Sequence, residues 1–141
     1  MIHLTRRSLL VLGAASVAGC TSAAAPLAEG ATNVTASELI TLDAACGDEE
    51  SASVSVTDDV VTIEGALTAI NPCHDAVLED VSVAGDQLVV TVGTASTGED
   101  ICIECIGRIE YEVTVTVADL DAIESVRVRH ESGESFTHDV S

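Results

Sequence analysis

Arg108-Ile109-Glu110-Tyr111-Glu112-Val113-Thr114-Val115-Thr116-Val117 alternates apolar and polar side chains over ten positions. Successive side chains of an extended chain point to opposite faces, so Ile109, Tyr111, Val113, Val115 and Val117 form a buried face and Arg108, Glu110, Glu112, Thr114 and Thr116 a wet one. Working outward, the same period of two recurs at Val54 and Val56 and again at Val61, Ile63, Leu67 and Ala69. Val81 and Val83, the turn Ala84-Gly85-Asp86, then Leu88, Val90 and Val92 predict a hairpin. A second hairpin joins residues 126–130 to 135–140 across Glu131-Ser132-Gly133-Glu134. For His130 and Phe136 to share a face there, the loop must hold an odd number of residues, which predicts a bulge. Only residues 118–124 have helical character, for about one turn. The expectation is an all-β, immunoglobulin-like antiparallel sandwich of seven to eight short strands over residues 38–141.

Composition limits what this domain can be. The 141-residue chain has no Trp, one Tyr and one Phe, so its core is built from Val, Ile, Leu and Ala, which bury less area per residue than rings do. It carries 24 acidic side chains against five arginines and no lysine. Two of those arginines, Arg6 and Arg7, stand near the N-terminus. The acids come in short runs between apolar strands (Asp48-Glu49-Glu50, Asp58-Asp59, Glu79-Asp80, Glu99-Asp100), which describes an acidic skin on a folded domain. Self-repulsion on that scale destabilises a compact state at ordinary ionic strength and is screened in molar salt. The pattern resembles proteins of extreme halophiles. Nucleic acid and anionic headgroups are expected to be poor partners for this surface, since both require a cationic footprint.

The N-terminus reads as an address. Thr5-Arg6-Arg7-Ser8-Leu9-Leu10 matches the twin-arginine export pattern, and the apolar run that follows ends in Val17-Ala18-Gly19-Cys20, a lipobox. The run is shorter than the ~20 residues of a membrane-spanning helix. Residues 1–19 are expected to be a cleaved signal, with Cys20 the lipidated N-terminus. The protein is then anchored in the bilayer on the extracytoplasmic face of the cell membrane. Residues 20–37, rich in Ala, Thr, Ser and Gly and without an apolar period, are expected to be a tether. Asn33-Val34-Thr35 is a glycosylation sequon within it.

If successive strands reverse direction, the connecting loops alternate between two ends, and Cys46, Cys73, Cys102 and Cys105 fall at the same end together with His74. His130 lies at its rim. Two disulfides are one reading, with three connectivities open. A tetrahedral zinc or copper site of the four thiolates, or with His74 in place of one, is a second. A thiol-disulfide exchanger using Cys102 and Cys105 is a third, though it lacks the helix N-terminus that lowers a reactive thiol's pKa. His130 and His138, on the apolar phase of their hairpin, read as partly buried structural residues. No nucleophile elbow, phosphate loop or paired-carboxylate motif stands in the chain, so a non-enzyme without a cofactor is expected.

Asn71-Pro72-Cys73-His74, Cys102, Tyr111, Leu120 and Val126-Arg127-Val128-Arg129-His130 together resemble small twin-arginine-exported lipoproteins of unknown function found in salt-loving archaea, with looser bacterial counterparts. The resemblance covers about residues 60–130. It implies an immunoglobulin-like fold and a bridge between Cys73 and Cys102, which leaves Cys46 to Cys105. Ala122-Ile123-Glu124-Ser125 departs from the Gly-rich turn usual in the group. On this evidence the domain is expected to be a binding or interaction module for a surface protein or glycan. A metal or thiol-redox protein and a structural envelope component are the alternatives.

Overall fold

The computed structural model describes residues 33–140. Eight strands form two four-stranded sheets: β1 (Val34–Cys46), β2 (Ser51–Thr57), β3 (Val60–Ala69), β4 (His74–Ala84), β5 (Gln87–Ser96), β6 (Gly107–Val117), β7 (Ser125–His130) and β8 (Ser135–Asp139). One sheet has the order β1-β6-β3-β2 and the other β4-β5-β7-β8. The architecture is the expected all-β sandwich. The alternating segment is β6, central in its sheet, and every second residue from Gly107 to Val117 is buried. Its apolar face meets Val61, Ile63 and Leu67 of β3 and, from the opposite sheet, Val81, Leu88, Val90, Val92, Val126 and Val128. Each such side chain, taken fully from water, contributes roughly 1.5–3 kcal/mol, which is how a hydrophobic cluster with Tyr111 as its one ring still suffices.

The structure corrects the sequence reading of the strands in two places. The domain begins earlier than residue 38: β1 starts at Val34, inside the stretch read as tether, and pairs along β6 from Val34 opposite Val117 to Cys46 opposite Gly107. Those residues lack an apolar period because β1 is an edge strand whose side chains are mostly exposed on both faces. It is interrupted by register shifts at 34–36 and 41–43 and carries Glu38 and Asp43, features that discourage pairing with another chain. The second correction is that the sandwich is not wholly antiparallel. β5 and β7 pair in parallel, Gln87 beside Ser125 through Val92 beside His130. Parallel neighbours need a crossover between them, and here β6, in the other sheet, supplies it.

Both predicted hairpins form. Ala84 faces Gln87 across Gly85-Asp86. In the β7–β8 hairpin Gly133 N–H donates to the His130 carbonyl and His130 N–H to that of Glu134, closing a three-residue loop with Gly133 at φ +107°. The odd loop places His130 and Phe136 on one face, as anticipated. The helical segment is a single 3-10 turn, Leu120–Ala122, capped by the Asp119 carboxylate on Asp121 N–H. The open sides are tied by Ala76 N–H donating to Thr41 Oγ1 and His138 Nε2 donating to the Ala52 carbonyl.

Candidate functional site at the disulfide-stapled end

The loops after β1, β3, β5 and β7 converge at one end of the sandwich. Asn33, the turns at 58–59 and 85–86, the 118–124 connection and Val140 occupy the other, joined there by Ala118 N–H to Asn33 O, Glu124 N–H to Asp86 O and Val140 N–H to Glu124 O. All four cysteines of the described residues lie at the first end, as the alternation of loops required. They are bridged in pairs, Cys46 to Cys105 and Cys73 to Cys102, with Cα–Cα distances of 5.7 and 6.1 Å. The bridges are nested, and each pins the long 97–106 loop, one to the end of β1 and one to the β3–β4 loop. With the sulfurs joined in this way, the thiolate ligand sets that include Cys46, Cys73, Cys102 and Cys105 are not assembled, and Cys102 and Cys105 do not form a pair with each other. Among the described residues no three His, Cys, Asp or Glu side chains gather where they could hold a metal ion.

His74 is held in place by its own loop: Nδ1 lies 3.0 Å from the Asn71 carbonyl oxygen and 3.1 Å from Asn71 Oδ1. Asn71 Oδ1 also accepts Cys73 N–H. The loop packs so tightly on Gly107 that a Cβ there would overlap the Asn71 carbonyl and Pro72. This close approach is what sets Cys73 over the 97–106 loop, where Thr97 N–H donates to the Cys73 carbonyl.

His130 is not at the rim. Its side chain is fully buried and joins three strands' worth of sequence into one chain of hydrogen bonds. Nε2 lies 2.7 Å from the Tyr111 hydroxyl and Nδ1 2.8 Å from Glu50 Oε1. Glu50 in turn accepts Ser132 Oγ on Oε1, and the Thr68 N–H and hydroxyl on Oε2. Burial alone would raise the Glu50 carboxyl, but the bonds from Thr68, His130 and Ser132 together outweigh it and hold the group below its ordinary value. A carboxylate at Glu50 can only accept, so His130 donates to it through Nδ1–H, and Nε2 shares a hydrogen bond with the Tyr111 hydroxyl. Every partner is then satisfied. Burial, and next the Glu50 charge, push the Tyr111 hydroxyl well above its ordinary value, so it stays a donor. Gly65 makes room for it, since a Cβ there would stand 2.6 Å from the hydroxyl oxygen. Phe136 completes the cluster, 5.3 Å from the His130 ring centroid. The geometry resembles a proton relay, and with the Tyr111 side chain buried it ties β6, β7 and the 47–50 loop together.

What the stapled end does present is apolar. Ile70, Ile101, Ile103 and Ile106 are 83, 87, 65 and 53 % exposed there. Beside them an open groove of about 460 Å³ runs between the ends of the two sheets, lined among others by Thr68, Ile70, His74, Ile106, Glu131 and Ser132. The sequence reading missed both the groove and the relay. A tyrosine on the apolar face of β6 must find a partner once buried, and a histidine on the apolar phase of β7 is a candidate for it. The isoleucines stand out of any period in a cysteine-containing loop, which is itself a signal of exposed apolar surface.

Cys20, Arg6 and Arg7 lie outside the described residues. Asn33 is at the end away from the cysteines. Its Nδ2 donates to the Asp119 carbonyl and its Oδ1 accepts Asp119 N–H. No protein-family model, curated protein or solved structure matches the chain.

Proposed function

We propose that this protein is a lipid-anchored, extracytoplasmic interaction module of a salt-adapted cell, which holds its stapled end away from the membrane as the binding face. The observation that carries this reading is the opposition of the two ends. A chain anchored through Cys20 enters the sandwich at Val34. β1 then runs 13 residues to Cys46, about 40 Å at strand rise, and the exposed isoleucines cluster at its far end. Monomeric surfaces rarely leave contiguous apolar groups in water without a use for them. Rigid loops on a sandwich scaffold are also a common way to present a binding surface. The twin-arginine signal supports delivery, and the acidic surface supports a salt-rich medium. Membership in the haloarchaeal lipoprotein group is part of the same proposal.

The test is done in salt-grown cells. Cys20→Ser is expected to release the protein into the medium, and retention in the membrane fraction would overturn the anchor. A photo-crosslinking side chain at Ile103 is expected to give a defined adduct on intact cells, where the same group on the outer face of β1 at Ile40 gives none. Hydrolytic or redox turnover by the purified protein, with no adduct from Ile103, would overturn the interaction reading.

A further inference from the structure

The groove at the stapled end carries a partner's chemistry in its lining. One wall is apolar, from Ile70 and Ile106, and the other holds the Glu131 carboxylate. Glu131 Oε2 is occupied by the Thr94 N–H and hydroxyl at 3.1 and 2.6 Å. Its Oε1 instead lies over Gly93, and the Glu79 carboxylate lies over the same atom. Two carboxylates therefore meet over Gly93, and of the two, Glu131 lines the groove. Arg108 pairs with Glu110 and His130 contacts Glu50, and no Arg or His of the described residues forms such a pair with Glu79 or Glu131. The volume of about 460 Å³ falls within the ~300–1,000 Å³ usual for binding clefts.

Resting on the interaction reading above, we infer that this groove docks a protein segment that presents an apolar side chain next to lysine or arginine. The apolar side chain enters against Ile70 and Ile106 while the cation meets the Glu131 carboxylate, with that of Glu79 behind it over Gly93. A second copy of this chain is disfavoured, because its stapled end offers Asp48, Glu99, Asp100 and Glu104, carboxylates that in direct contact cannot complement Glu131. Anionic headgroups are disfavoured for the same reason. In molar salt, attraction beyond a few ångströms is screened. Recognition then depends on contact pairs and apolar burial, and a groove with both is what such a medium requires.

The test uses the full lipidated protein in detergent and molar KCl, with fluorescence anisotropy of a short labelled peptide that alternates leucine with arginine. The matched probes replace arginine by glutamate or leucine by serine. The leucine–arginine peptide is expected to bind, and each matched probe to bind at least about tenfold more weakly. Ile70→Ser and Glu131→Gln should each cost a similar factor, while Ile40→Ser on the outer face of β1 leaves binding unchanged. Equal binding of the glutamate probe would overturn the partner class, and undiminished binding in both groove variants would overturn the site. If no probe binds yet Ile103 still cross-links on cells, the docking inference falls and the interaction module stands. If both fail, both fall.

Discussion

At the end that holds Asn33, the chain reverses in two residues at Asp58-Asp59 and at Gly85-Asp86, whereas at the opposite end it travels ten residues between β5 and β6 and is held there by two covalent bridges. The short turns need nothing more than backbone hydrogen bonds and the Asn33–Asp119 clamp. The 97–106 loop turns its isoleucines outward, so it gains no core burial to offset the entropy of ordering it. Its order must come from the crosslinks and from the backbone bonds that join Thr97 to Cys73 and Ile106 to Gly47. The difference teaches that the stapled end is ordered in spite of its apolar groups and not by them.

Removing the staples should break the comparison most visibly. Loss of Cys46–Cys105 by Cys46→Ala with Cys105→Ala is expected to cost about 4 kcal/mol by loop-closure entropy. Because the bridges are nested, losing Cys73–Cys102 as well should cost less than a second full increment. Thermal melts with and without reductant check both. If the melts coincide, the staples do not order this end.

The relay comes next. His130→Ala would strand the Tyr111 hydroxyl and the Glu50 carboxylate in buried surroundings, with an expected loss of about 3 kcal/mol, and Tyr111→Phe should lose about 1–2 kcal/mol. Denaturant melts give both numbers. The pH dependence sharpens the same point. Glu50 is depressed in the fold, so its stabilisation is present above its unfolded value of 4.5 and is lost as pH falls through the folded one. Tyr111 is raised, so its contribution is present below the ordinary phenol value and lost as pH rises beyond it. Glu50→Gln should be less stable at neutral pH and flatten the acid limb, and an unchanged acid limb would assign that loss to other carboxylates.

The smallest effects should come from the other end and from the loop tip. Asn33→Ala removes a two-way bond to the Asp119 backbone, at about 1 kcal/mol, while Ile103→Ser should change stability by less than about 0.5 kcal/mol. A cost for Asn33→Ala exceeding that of the outer bridge would invert the comparison.

Much of this could be read from the sequence because it is local. Alternation over β6, the Gly85-Asp86 turn and the parity of the β7–β8 loop each need only a few neighbouring residues, and the gathering of the cysteines at one end follows from counting reversals. What escaped is non-local or lacks a period. β1 extends back to Val34 without apolar alternation because edge strands can be wet on both faces. The allocation of strands to sheets, and with it the parallel pair, depends on packing between segments far apart in the chain. Glu50 meets His130 across 80 residues, and nothing near either one announces the other.

The two sheets are interleaved along the chain. β6, central in one sheet, is spliced between β5 and β7, the two central strands of the other. Neither sheet is therefore a continuous stretch of polypeptide that could detach as a unit. The molecule has no natural subglobal fragment to release, so the amides of β3, β5, β6 and β7 should exchange with solvent at a common slow rate set by global opening.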